Sequence, residues 1–194
     1  MMQSKIYWMM GGSGSGKSAA ANVMREAGIC VIDADEVAHS VLLSGGRAYD
    51  EVVEVFGKEY LLSNGEINRR ELGKYVFANP DKLQILNEIT HKHIKDEILS
   101  LAGSMEVAVI DAPLPPEGFI KPYHILYIIA PKKVRIERIS KRDNISEEDA
   151  ALRLENQKHI DDYINYADTI IENNGDLEEF KQKIKNWCEY EKII

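Results

Sequence analysis

The sequence predicts an α/β fold in which a five-stranded parallel sheet is flanked by helices. Two observations carry this. Short apolar runs recur at Lys5 to Met10, Ile29 to Ile32, Val107 to Ile110, Ile125 to Ile129 and Thr169 to Ile171. They are too short for helices and rich in β-branched residues, as buried strands are. Between the first two runs lie a glycine-rich loop and an alanine-rich stretch, Ala19 to Ala27, with Gly28 just beyond as a helix stop. Strand, loop, helix and strand in so short a span form a βαβ unit, which implies parallel pairing.

The other elements follow in order. From Ala34 to about Gly103 the pattern turns helical, with turn signals at Gly45-Gly46 and Asn64-Gly65. Asn79-Pro80 breaks the chain before a long helix whose stripe is Leu83, Leu86, Ile89, Ile94, Ile98 and Leu101. Lys132 to Arg142 and Ser146 to about Tyr163 read as helices between the last two strands. Ser146 with Asp149, and Asp176 with Glu179, resemble capping boxes that open the helices after them. There is no internal repeat and no low-complexity linker. The expected organisation is one unit over residues 1–194, with a helical insertion at 34–101 and a second at 132–164.

Composition narrows the function. The chain has 194 residues, 24 basic against 32 acidic, for a formal charge of −8. With 44% hydrophobic and 29% charged residues it is globular rather than disordered. No apolar run approaches the roughly 20 residues of a membrane span, and Ile6 to Met10 is too short for a signal peptide. Cys30 and Cys188 have no second cysteine at metal-ligand spacing, so a reduced, cytoplasmic chain is expected. The acidic balance opposes nucleic-acid binding. An anionic small substrate would need local positive charge.

That charge has a place to act. Gly11-Gly12-Ser13-Gly14-Ser15-Gly16-Lys17-Ser18 matches the phosphate-binding loop G-x-x-x-x-G-K-S/T at every fixed position. Glycines let the backbone wrap closely, so that N–H groups point at one phosphate chain. The following helix adds its positive end. Lys17 is expected to reach the β- and γ-phosphates, and Ser18 to coordinate Mg²⁺. A strand enters and a helix leaves, the context that separates this motif from an ordinary glycine loop.

Asp33 and Asp35 stand where the second strand ends. A carboxylate there can accept the proton of an attacking hydroxyl, or can cap a helix. Two aspartates allow both, with Asp33 read for chemistry and Asp35 for capping or support. Asp111 closes the third run, either as a Mg²⁺-holding Walker-B aspartate or as a simple strand end. Arg135, Arg138 and Arg142 recur on one helix face, with Arg153 on the next helix. Together they suggest a lid that closes over phosphates, although Arg135 taken alone reads as a solvated charge. His91 and His93 are two apart on a helix and share no face, which counts against a metal site.

The ordered set of motifs resembles the dephospho-coenzyme A kinase family from Ile6 to about Gly175. The phosphate loop and Val31-Ile32-Asp33-Ala34-Asp35 come first. Phe56-Gly57, Asn68-Arg69-Arg70 with Leu72, Val76-Phe77, and Ile89-Thr90-His91 with Ile94 follow. Pro113-Leu114 with Glu117, Arg138 and Arg142, Gln157, Ala167-Asp168 and Asn173-Asn174-Gly175 complete the series.

The resemblance implies the P-loop nucleoside triphosphate hydrolase fold and ATP-dependent phosphorylation of the ribose 3′-hydroxyl of dephospho-coenzyme A. It makes Asp33 the base and 34–101 the acceptor-binding insertion, with Arg69, His91, Pro113, Leu114 and Glu117 on the acceptor. It makes 132–164 the lid, with Arg138 and Arg142 on the phosphates, and it puts Asn173, Asn174 and Gly175 beside the adenine. Lys92, Pro115-Pro116 and Arg135 depart from the family pattern, Arg135 standing where glutamine is usual. Arg135 is therefore expected to matter less than Arg138 and Arg142, and those two to stay solvated until ATP draws them in. A nucleoside monophosphate kinase would share the loop and lid but lack the Asp-Ala-Asp, Thr-His and Pro-Leu-x-x-Glu combination. A nucleotide-dependent switch would need partner-facing switch segments, and no guanine-reading Asn-Lys-x-Asp motif occurs.

Overall fold

In β1 (Lys5–Met10) every residue from Tyr7 onward is buried, because side chains on both faces of the strand meet packed elements. The structure, a computed structural model, describes residues 4–114 and 120–194. β2 (Cys30–Asp33), β3 (Val107–Asp111), β4 (His124–Ile129) and β5 (Thr169–Glu172) complete a five-stranded parallel sheet in the order β2-β3-β1-β4-β5. Met9 pairs with Asp111 on one side of β1, and Met10 with Tyr127 on the other. One face of the sheet, through Tyr7, Met9, Leu126 and Ile128, packs on Ala20, Ala21 and Met24 of α1 (Lys17–Glu26). Phe180, Ile184 and Trp187 of the C-terminal helix Leu177–Tyr190 close the same cluster. Each large side chain so buried contributes on the order of 2 kcal/mol. This is the core that holds the glycine loop.

The chain divides into two compact units, Asp33–Leu101 and the remainder. The first contains α2 (Ala34–Ser40), α3 (Tyr49–Phe56), α4 (Arg69–Phe77) and most of α5 (Pro80–Ala102). Asn68 caps α4 by accepting from the Glu71 N–H at 3.2 Å. Gly65, in the left-handed region at φ 85°, makes the expected turn, across which Leu61 and Ile67 pair. In α5 the expected stripe ends early: Leu101 is 42% exposed and Ala102 is buried. A strict repeat drifts around a helix of this length.

Two departures have identifiable causes. The second strand was expected from Ile29 but starts at Cys30. Gly28, at φ 83°, turns the chain, and Ile29 donates its N–H to Met24 O at 3.0 Å. Ile29 thus finishes the helix instead of opening the strand.

The single helix expected from Ser146 to about Tyr163 is α7 (Glu147–Asn156) followed by a 3₁₀ segment, Lys158–Tyr166. The tighter winding lets Ile160 O accept from the Tyr127 hydroxyl at 2.7 Å and presents Asp161 to Arg135. α6 (Lys132–Asp143) and α7 share a small cluster of their own, Ile139, Ala150 and Leu154. The Ser146 cap forms, accepting from the Asp149 N–H at 3.0 Å, and Asp176 caps α8 (Leu177–Tyr190) the same way.

Candidate active site

The loop between β1 and α1 is shaped from outside by side chains that hold its carbonyls. Arg135 Nε donates to Ser13 O at 2.9 Å, Arg138 Nη1 to Gly14 O at 3.2 Å, and Asn173 Nδ2 to Ser15 O at 2.8 Å. In a trans peptide the carbonyl and the next residue's N–H point in opposite directions. Three carbonyls drawn outward therefore turn the N–H groups of Gly14, Ser15 and Gly16 to the loop's other side. The Ser15 N–H closes a turn on Gly12 O at 3.1 Å, and Ser13 Oγ donates to Gln157 Oε1 at 2.7 Å.

The side chains that brace the loop occupy space that only glycine leaves open. A Cβ on Gly12 would meet the Arg135 guanidinium, and one on Gly16, at φ 109°, would collide with the Asn173 amide. Gly16 is also the N-cap of α1. It brings no side-chain cap, and the first turn carries no acidic residue. The N–H groups and positive end of this helix are thus left to an outside anion.

Lys17 and Asp111 face one another beside the loop, with Nζ 3.8 Å from Oδ1. The ladder explains this: Asp111 is opposite Met9, and Ala112 N–H donates to Met9 O at 3.1 Å. Ser18 is exposed in the first turn of α1. A cavity of about 240 Å³ opens by the loop, lined by Gly12, Ser15, Ile129, Ala130, Lys132 and Arg135 among others.

The arginines of α6 do not behave as one set. Arg138 is turned inward, with Nη2 on Asn173 Oδ1 at 2.9 Å as well as its contact with Gly14. Burial lowers its pKa from the ordinary guanidinium value. The expectation that it stays solvated is thus corrected: Asn173 and the loop carbonyls supply the acceptors. Arg142 is exposed and forks onto Asp143, at 2.7 Å through Nε and 2.9 Å through Nη2. That hydrogen bond raises its pKa, and Arg153 pairs with the same carboxylate. Arg135 was read as a solvated charge but is only 8% exposed, and it pairs with Asp161 at 2.9 Å. Asp161 escaped notice in the sequence, since nothing in its spacing relates it to the loop.

Asn173 is 2% exposed and engaged at both ends of its amide, so it braces the loop. Asn174 and Gly175 follow it in exposed positions after β5. Pro113 and Leu114 follow β3, and Leu114 O accepts from Trp8 Nε1 at 2.8 Å. Glu117, with Pro115 and Pro116, lies outside the described residues.

In the other unit, Arg69 opens α4 and His91 lies on α5, both exposed. Asp33 ends β2 half-buried and is itself the N-cap of α2, Oδ1 accepting from the Asp35 N–H at 2.8 Å and the Glu36 N–H at 3.1 Å. The expectation that Asp35 caps the helix is corrected, since Asp33 is the N-cap and Asp35 sits one residue inside the helix.

Comparison with known proteins agrees with this geometry. The dephospho-CoA kinase family profile matches residues 6–179. A Bacillus cereus dephospho-CoA kinase is 35% identical over 193 residues, spanning 94% of this chain and 96% of its own. A solved dephospho-CoA kinase from Campylobacter jejuni aligns with a TM-score of 0.62 at 28% identity, covering 98% of each chain. A Thermus thermophilus crystal structure aligns with a TM-score of 0.76 at 24% identity, covering 97% of this chain and 98% of that one, and shows the shared fold. A phosphate loop braced by α6 and the end of β5, within a match that spans nearly the whole chain, places this protein in the dephospho-CoA kinase family.

Proposed function

We propose that the chain transfers the γ-phosphoryl group of ATP to the ribose 3′-hydroxyl of dephospho-coenzyme A, giving coenzyme A and ADP. The observation that carries the nucleotide half is the loop whose carbonyls are held outward by Arg135, Arg138 and Asn173. Its inward N–H groups and Lys17 bind the β- and γ-phosphates. Asp33 takes the proton of the attacking hydroxyl, its cap through Oδ1 fixing the carboxyl's orientation. Arg138 spreads positive charge beside the phosphates, and Arg142 joins it during transfer. Asn173, Asn174 and Gly175 lie beside the adenine. Residues 34–101, with Arg69 and His91, hold the acceptor together with Pro113, Leu114 and Glu117, and 132–164 is the lid.

The residues present fit Mg²⁺. Ser18 and Asp111 offer a hydroxyl and a carboxylate, the oxygen donors this hard cation selects, with phosphate and water completing its shell. Bound there, it would neutralise phosphate charge. A cytoplasmic site of action suits Cys30 and Cys188, both free thiols. The test is ADP production by purified protein with ATP. Turnover that appears only on adding dephospho-coenzyme A supports the reading, and equal turnover with a nucleoside monophosphate overturns it.

A further inference from the structure

We propose that Arg135 and Asp161 form a strap that positions the phosphate loop, with Arg135 setting nucleotide affinity from outside the phosphate site. The proposal rests on the nucleotide-binding reading above and concerns two residues with no role in it as acid, base or acceptor contact. Each part of the Arg135 guanidinium is occupied. Nε holds Ser13 O at 2.9 Å, and Nη1 lies 2.9 Å from both oxygens of Asp161. Nη2 fills the space that a Cβ on Gly12 would take. The backbone of the same residue shapes the loop as well. A Cβ on Gly14 would come within 2.8 Å of Arg135 O and 3.0 Å of its Cα.

The consequence lies in the Ser13–Gly14 peptide. Its rotation changes ψ of Ser13 and φ of Gly14, and glycine, here at φ 75°, does little to restrict the second of these. Rotated by half a turn, it would aim the carbonyl oxygen where its N–H now points, and an anion would meet an acceptor in place of a donor. A charge-assisted hydrogen bond to Ser13 O opposes that rotation. Asp161 keeps the guanidinium from swinging toward incoming phosphates. It stands on the 3₁₀ segment after α7, with its side chain 51% exposed. The strap thus ties both ends of the α6–α7 region to the loop: α6 through Arg135, the 3₁₀ segment through Asp161.

Lysine at position 135 keeps the charge but gathers its donors on one nitrogen, without the planar fork by which Nε and Nη1 reach Ser13 O and Asp161 separately. Glutamine keeps one amide donor and drops the charge. The experiment uses the full-length protein and measures ATP affinity by calorimetry, KM for dephospho-coenzyme A, and melting temperature. The variants are Arg135→Lys, Arg135→Gln, Asp161→Ala and the double variant Arg135→Gln/Asp161→Ala.

Arg135→Lys and Arg135→Gln should each weaken ATP binding about tenfold, the scale of one lost charge-assisted hydrogen bond, with the acceptor KM unchanged. Asp161→Ala, at a half-exposed position that threatens the fold least, should weaken ATP binding severalfold. The double variant should bind no worse than Arg135→Gln, since the two residues act as one unit. Unchanged ATP affinity in the Arg135 variants overturns the strap, as do losses that simply add. Equal proportional changes in both substrates' constants would mean general destabilisation and overturn it too. Wild-type protein that fails to bind ATP would instead overturn the nucleotide reading itself.

Discussion

Replacing Asp33 by asparagine separates the two tasks the structure gives this side chain. Its Oδ1 accepts from the N–H groups of Asp35 and Glu36, at 2.8 and 3.1 Å. Asparagine keeps an oxygen there and is as good an N-cap as aspartate. What it loses at the helix is charge against the dipole, about 0.3–1 kcal/mol. As a proton acceptor it is lost altogether. Removing a general base costs about 10²–10⁴ in rate, or about 2.7–5.5 kcal/mol of barrier at roughly 1.36 kcal/mol per decade. The barrier change should therefore exceed the stability change several times over.

Asp33→Ala should lose the same rate and, in addition, a cap of about 0.5–2 kcal/mol. The measurements are kcat at saturating ATP and dephospho-coenzyme A, followed through ADP release, and denaturant midpoints for all three proteins. An Asp33→Asn enzyme within tenfold of wild-type kcat would refute the assignment of the base. A larger loss in Asp35→Asn would show that the two carboxylates have been assigned in reverse.

Lys17→Ala should lower kcat by at least about a hundredfold, on the scale of removing one preorganised charge from the transferring phosphate. It should barely move the melting temperature, because its 3.8 Å pairing with Asp111 is a loose one; near-normal kcat would remove the loop from the mechanism. Asn173→Ala breaks two hydrogen bonds at a residue 2% exposed and should destabilise the protein by about 2–3 kcal/mol, a loss visible as a shifted denaturant midpoint; no shift would mean the brace is idle. The Asp143 carboxyl is held below its ordinary pKa of 3.8, first by the hydrogen bond from Arg142. A depressed carboxylate stabilises fully above its unfolded pKa and loses that contribution as pH falls through the lower folded value. The α6–α7 pairing should therefore be unchanged from pH 7 to pH 5 and weaken only below about pH 4, which a pH titration of backbone amide chemical shifts would reveal, and Asp143→Asn should abolish the acid transition.

The fold was legible because its signals are local. Ile6 to Met10, Val107 to Ile110 and Ile125 to Ile129 are apolar runs of four or five residues whose burial leaves little alternative composition, while the shorter edge strands β2 and β5 are marked by Cys30 to Ile32 and by Ile170 and Ile171. Where the reading slipped, a contact distant in sequence outweighed local propensity. Nothing between Ser146 and Tyr163 announces that the helix must tighten after Asn156. The cause is Tyr127, more than thirty residues earlier, whose hydroxyl takes the Ile160 carbonyl. Ile29 is the converse case, in which the local signal suffices: Gly28, a helix stop, turns the chain before the strand begins at Cys30.

The phosphate loop could be read because its chemistry lies in consecutive residues, but the side chains that hold it could not. Arg135, Arg138 and Arg142 fall on one helical stripe, and angle alone makes them equivalent. Axial position separates them. Seven residues at about 1.5 Å each put Arg142 about 10 Å along the helix from Arg135, so the loop meets the first two and not the third. Near the loop, the acceptors are the carbonyls of Ser13 and Gly14 and the amide of Asn173. At the far end, the acceptor is Asp143, just before Asn144 ends α6 in the left-handed conformation. Arg142 can act on a transferring phosphate only by leaving that carboxylate. Since an anion stands on both sides of this exchange, the energy for it must come from whichever site offers the drier, more complete set of acceptors.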